Sequence, residues 1–159
     1  MDIQSKLERI IPTDDFQHRW EFSNQHLVDE LDDSEKKEIE ALLIKKLCNE
    51  PGDILIVETL SYIRSKKALP AIRNSLKICV NKIQRIIIAV SIYKIDQDND
   101  MINVSISAFK QLHNKWDFVV AFGYLKGFND SRINQMIEEY IDHPDFLISY
   151  NAKKALNLI

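Results

Sequence analysis

The residues best spaced to do chemistry are Asp96, Asp98 and Asp100, which alternate as the first ligands of a calcium loop do. A calcium loop also needs a glycine at its sharp turn and a bidentate glutamate to close it. Met101 stands at the first of those positions and Ser107 at the second, so the run predicts a solvated turn rather than a metal site. His18, His26, His113 and His143 contain no i, i+4 pair that could grip a metal from one helix face, and no Gly-rich loop offers a phosphate cradle. Glu138 with Glu139, and Asp32 with Asp33, are adjacent carboxylates. Neighbours on a helix point about 100° apart, so they cannot share a site as a general acid and base must. The chemistry-bearing residues therefore predict no catalytic centre, no metal and no cofactor. Binding another macromolecule is the class of function that remains.

The elements that would position such a surface are written in a repeat. Thr59, Ser91, Gly123 and Ala155 lie 32 residues apart and are all small. Three residues before them stand Ile56, Ile88, Val120 and Ala152, and one after stand Leu60, Ile92, Tyr124 and Leu156. Four after come Ile63, Ile95, Gly127 and Ile159. This spacing is one stripe on an α-helix, with the small residue letting a neighbouring helix approach, and a fixed period of this length predicts stacked supersecondary units. Leu27, Val28 and Leu31 fall one period before Thr59, Leu60 and Ile63, so residues 1–31 read as a degenerate first repeat of a single domain spanning 1–159.

Helices can be placed in pairs, A then B. The first runs from about Ile3 to Ile11 before Pro12; a second follows the acidic turn Thr13 to Asp15 and reaches Leu31. Asp32 and Glu35 form a capping box for an A helix that ends at Asn49 to Gly52, and Asp53 caps the B helix from Ile54 to about Arg64. Another pair covers about Lys67 to Leu76 and Asn81 to Ile95, whose run Ile86 to Val90 is apolar nearly all round. The remaining helices are expected near Met101 to Leu112, Lys115 to Lys126, Asp130 to Ile141, and after His143-Pro144.

Ala68-Leu69-Pro70-Ala71-Ile72 with Leu76, then Arg85 before the Ile88 to Ile95 frame, resembles the short HEAT-like repeat. His143-Pro144-Asp145 leading to Ala152, Ala155, Leu156 and Ile159 is similar to that repeat's second half. The resemblance covers about the last two thirds of the chain at the level of repeat geometry. Only one repeat keeps both the Leu-Pro and the arginine, and Tyr124 and Gly127 replace aliphatic residues. It implies an all-α, right-handed α-solenoid of about five helix pairs whose B helices line the concave side.

Hydrophobic content of 45% with 28% charged residues is that of a soluble globular chain, since a disordered one would carry fewer apolar residues. No apolar run reaches the roughly 18 residues of a membrane span, and Met1 to Ile11 lacks the form of a signal peptide, so the expected compartment is the cytoplasm. Cys48 and Cys79 are expected to be reduced core residues there. Charge is unevenly spread. Residues 1–53 hold seven Lys and Arg against fourteen Asp and Glu, a net −7, whereas residues 54–159 hold fourteen against ten, a net +4. An acidic end would draw a basic partner.

Trp20, Phe22, Tyr62, Tyr93, Trp116, Phe118, Phe122, Phe128 and Tyr140 are too many rings for the core of a thin two-layer stack, so about a third should be exposed. On the B helices the face opposite the repeat stripe carries Glu58, Tyr62, Val90, Lys94, Phe122 and Lys126. Glu58, Tyr62, Lys94, Trp116, Phe122 and Lys126 are accordingly the expected partner-binding residues. The resemblance and the charge pattern together imply a protein that binds and neutralises another protein, as the immunity proteins of interbacterial toxin systems neutralise their often basic toxins. The alternative is nucleic-acid binding, as in HEAT-like DNA glycosylases, with Lys66, Lys67, Arg73, Lys77, Lys82, Arg85 and Lys94 along phosphates and Trp116 stacking on a base. An acidic overall balance weighs against it.

Overall fold

The computed structural model describes residues 1–13 and 23–159, and among these every regular element is helical. Asp14, Asp15, His18, Trp20 and Phe22, together with the first part of the second expected helix, lie outside the described residues. The helices are α1 (Ile3–Ile10), α2 (Gln25–Asp29), α3 (Asp33–Asn49), α4 (Ile54–Ile63), α5 (Leu69–Ile78), α6 (Lys82–Asp96), α7 (Asp100–Phe109), α8 (Lys115–Leu125), α9 (Ser131–Glu138) and α10 (Phe146–Ala155). Short 3-10 turns precede α5 at Lys66–Ala68 and follow α8 at Lys126–Phe128.

Local chemistry sets most of these limits. The Asp32 carboxylate accepts from the Ser34 and Glu35 amides while Glu35 reaches back to the Asp32 amide, the reciprocal box that starts α3. Asp53, Asn81, Asn114 and Asp145 each accept from an amide in the first turn of α4, α6, α8 and α10, so these four B helices open on a side-chain cap, whereas α2 has none. Pro70 is the second residue of α5, where its missing N–H costs no intrahelical bond. The exits also recur. Arg64 after α4, Gln97 after α6 and Asn129 after the turn behind α8 all take left-handed backbone, with φ of 58°, 55° and 48°. These residues lie 33 and 32 positions apart, so the repeat is visible in the backbone as well as in the side chains.

The chain divides into two compact units, Met1–Ser75 and Leu76–Ile159, with the division inside α5. In the first, α3 packs on α4 and α1, and α2 touches α1 and α4. Leu7, Ile10, Leu27, Val28, Ile39, Leu43, Leu47, Ile56, Val57 and Leu60 form its interior. Asn24 is buried there, donating to the Ile10 carbonyl at 2.9 Å and to Thr59 Oγ1 at 2.7 Å. In the second unit α8 packs on both α6 and α10, and α6 also packs on α7. The continuous apolar run in α6 is buried from Ile86 through Ile92, as its all-round hydrophobicity requires.

The small positions divide. Thr59 and Ser91 are buried, Ser91 donating to the Ile87 carbonyl at 2.9 Å. Gly123 is exposed, with no atom within 4 Å of where a Cβ would stand, and Ala155 is only half-buried. The expectation of a close helix contact at all four is thus corrected for the last two. Cys48 is exposed and Cys79 half-buried, so neither is a core residue, though both thiols are free.

Candidate partner-binding surface

Helix α8 presents its largest exposed ring at its start. Asn114 caps the helix by accepting from the Trp116 amide at 2.8 Å, which places Trp116 in the first turn, beyond the reach of the core. Its side chain is 61% exposed. The Lys115 ammonium lies 5.4 Å from the centre of the indole, within cation–π range, and also 3.3 Å from Asp145 Oδ2. Asp145 in turn caps α10, accepting from the amides of Leu147 and Ile148 at 2.9 and 3.4 Å. Burial pushes the Asp145 carboxyl up, but the bonds from Lys115 and from the two amides outweigh it and hold the group below the ordinary range. One lysine and one aspartate therefore tie the N-termini of two packed B helices together. The Asp145 amide donates to His143 Nδ1 at 3.0 Å, and the His143 ring stacks on Tyr140.

Beside this junction α10 exposes two more rings. Phe146, next to Asp145, is 73% exposed and Tyr150 is 42% exposed. They stack at a centroid distance of 5.7 Å and 30° between planes. Neither belongs to the repeat stripe or to the expected binding residues. The signal was present: Phe146 and Tyr150 are four apart on one helix face, off the stripe that carries Ile148, Ala152 and Ala155.

The expected binding residues do not all reach the surface. Phe122 is fully buried, and this expectation is corrected: its ring lies 5.7 Å from Phe109 and 5.6 Å from Tyr140, in a cluster that Phe118 completes. The reason is that α8 has α6 and α10 packed on it and touches α7, so the side of its middle that carries Phe122 is covered, and only the side at Gly123 stays open. Val90, assigned to the same exposed stripe, is buried as well. Lys94 and Lys126 are exposed near the far end of α8, and the Lys94 stem runs beside Gly127, 3.6 Å from where its Cβ would be. Ten residues of helix put that end about 15 Å from Trp116. Glu58 and Tyr62 belong to the first unit. There the Tyr62 hydroxyl donates to both Asp29 oxygens at 2.8 Å, and that bond raises its pKa above the ordinary value of 10.0.

The basic residues of the nucleic-acid alternative are partly committed to the fold. The Arg85 guanidinium donates to the carbonyls of Leu76 and Cys79 at 2.9 and 2.8 Å, satisfying acceptors at the C-terminus of α5. Lys67 lies 3.9 Å from Glu40. The Asp96 to Asp100 run forms a turn in which Asp98 accepts from the Asp100 amide at 3.0 Å. Among the described residues no group of three or more His, Cys, Asp or Glu is placed to hold a metal, and no helix is long and apolar enough to cross a membrane. Comparison with protein-family models, with curated proteins and with solved structures finds no match to this chain.

Proposed function

We propose that the chain is a non-enzymatic, cytoplasmic protein-binding module of bacterial type, built as a right-handed HEAT-like solenoid of about five helix pairs, that neutralises a cognate, toxin-like protein by masking its surface. The observation that carries the binding role is Trp116. A 61% exposed indole under a lysine ammonium, at the tied starts of α8 and α10, is the residue type and setting from which interface anchors are drawn. The solenoid reading is supported by the 32-residue stripe, by the caps shared among B helices, and by the order α6, α8, α10 in which each B helix packs on the next. The neutralising role follows from size, repeat type and charge by analogy. The acidic residues Asp29, Glu30, Asp32 and Asp33, all exposed, would steer a basic partner.

The test is a titration of the purified chain against basic protein domains encoded by neighbouring genes, with a nucleic-acid duplex as the competing ligand. The proposal expects saturable protein binding that Trp116→Ala weakens by about 2 kcal/mol, and suppression of the partner's toxicity on co-expression. Duplex binding that falls steeply with salt, with no protein complex, would overturn it in favour of the nucleic-acid reading.

A further inference from the structure

The turn between α5 and α6 is an aliphatic tip set among uncompensated cations. Val80 is 85% exposed, more than any other large apolar side chain among the described residues, and Ile78, the last residue of α5, is 54% exposed. Lys77 is exposed on one side of them and Lys82 half-buried on the other. Neither lysine has an ion-pair partner among the described residues. The sequence around them holds no counter-charge, since residues 59–95 contain eight Lys and Arg and no Asp or Glu. Beneath the tip the backbone is closed on itself. The Arg85 guanidinium donates to the Leu76 and Cys79 carbonyls at 2.9 and 2.8 Å, and the Arg85 amide donates to the Asn81 carbonyl at 3.0 Å. Asn81 Oδ1 accepts from the Gln84 amide at 3.0 Å. Three carbonyls at the turn are thus satisfied from within, so the tip leaves water at a low polar cost.

We infer that this turn docks on an anionic lipid surface, Val80 and Ile78 entering the interface while Lys77 and Lys82 meet phosphate headgroups. A bilayer fits that order because its negative charge lies outermost and its apolar phase just beneath. An acidic protein surface would match the lysines, but it would bring carboxylates against two side chains that offer them no bond. A nucleic acid fits less well still: the turn has no ring to stack on a base, and its one arginine is turned inward to the carbonyls. Two aliphatic side chains bury fewer CH₂ groups than a single acyl chain, so the attachment is peripheral and reversible. The inference rests on this turn alone, independently of the role given to Trp116.

Co-sedimentation of the chain with vesicles of equal parts phosphatidylglycerol and phosphatidylcholine, over a lipid series reaching millimolar, decides it. The expected result is saturable binding that vesicles of phosphatidylcholine alone do not give and that weakens with added salt. Lys77→Gln and Lys82→Gln should each lower the affinity about fivefold, and Val80→Asp about tenfold or more. Val80→Trp should raise it, with emission moving to the blue relative to the parent as the new indole enters the interface. Lys77 and Val80 are exposed, so circular dichroism and melting midpoints of their variants should match the parent and show that each is folded. A chain that stays in solution at millimolar anionic lipid overturns the inference. So does binding that falls with the lysines but is indifferent to Val80→Asp and Val80→Trp, which would leave the tip outside the interface. If vesicles fail to bind the chain while Val80→Asp weakens a protein complex, the turn belongs to that protein and the lipid assignment is wrong.

Discussion

The Asn24 side-chain amide donates to Thr59 Oγ1 at 2.7 Å inside the first unit, and the Thr59 hydroxyl donates onward to the Leu55 carbonyl at 2.6 Å. The small residue of the repeat stripe is here also the acceptor that satisfies a buried amide. Asn24 keeps its other N–H on the Ile10 carbonyl, so the pair links the end of α1 to the middle of α4. Thr59→Val preserves shape and removes the acceptor, leaving one buried N–H without a partner. Unfolding in denaturant should show a loss of about 1 to 3 kcal/mol, with Thr59→Ser costing less. An unchanged midpoint for Thr59→Val would mean that the amide finds another acceptor.

Phe122 and Trp116 separate packing from binding on one helix. Phe122→Ala removes a ring with no exposure and should destabilise the chain by about 3 to 5 kcal/mol in equilibrium unfolding. Trp116→Ala should stay within about 0.5 kcal/mol of the parent. Its effect belongs in partner affinity instead. A large stability loss for Trp116→Ala would place the indole in the core and remove the anchor from the proposed surface.

What the sequence made legible follows from which signals are local. Helix starts were readable because a cap is a local bond: Asp32 with Glu35, Asp53 and the His143-Pro144-Asp145 turn all stand where their residue types predict. The buried run in α6 was readable because apolar residues on every side leave a helix no solvent face. Phe122 was misplaced because its stripe was judged from its own helix. Whether that face meets water depends on Phe109 and Tyr140, which come from the segments before and after α8. Phe146 and Tyr150 show the converse, since the repeat frame follows Ala152 and Ala155 and these rings lie on another side of α10.

The small positions give a paired test. Ser91 is enclosed, so Ser91→Leu should overpack α6 and cost about 1 to 3 kcal/mol. Gly123 faces open space inside a helix, so Gly123→Ala should raise stability by about 0.5 to 1 kcal/mol. Thermal melts of both variants check this, and destabilisation by the alanine would restore the close helix contact that the 32-residue stripe suggested.

Carboxylates and tyrosines bound the pH range of stability. Bonding to Ser5 lowers Asp2, the Lys6 bond lowers Glu35 and the Arg132 bond lowers Asp130, while in Asp145 the Lys115 and amide bonds overcome burial. A folded pKa below the unfolded value means that the native state holds the proton less tightly. The stabilisation is therefore complete above the ordinary values of 3.8 for Asp and 4.5 for Glu, and is lost as pH falls through the depressed ones. Tyr62 and Tyr140 shift the other way, the first through its bond to Asp29 and the second chiefly through burial. For them the protonated form is favoured in the fold, so their contribution is present below the ordinary value of 10.0 and fades as pH rises through the raised one. Melting midpoints should accordingly be flat from about pH 5 to pH 9 and fall on both sides. Asp130→Asn should blunt the acid limb and Tyr140→Phe the alkaline one; a midpoint that keeps rising as the solution is acidified below pH 4 would show that these carboxylates are not held ionised by the fold.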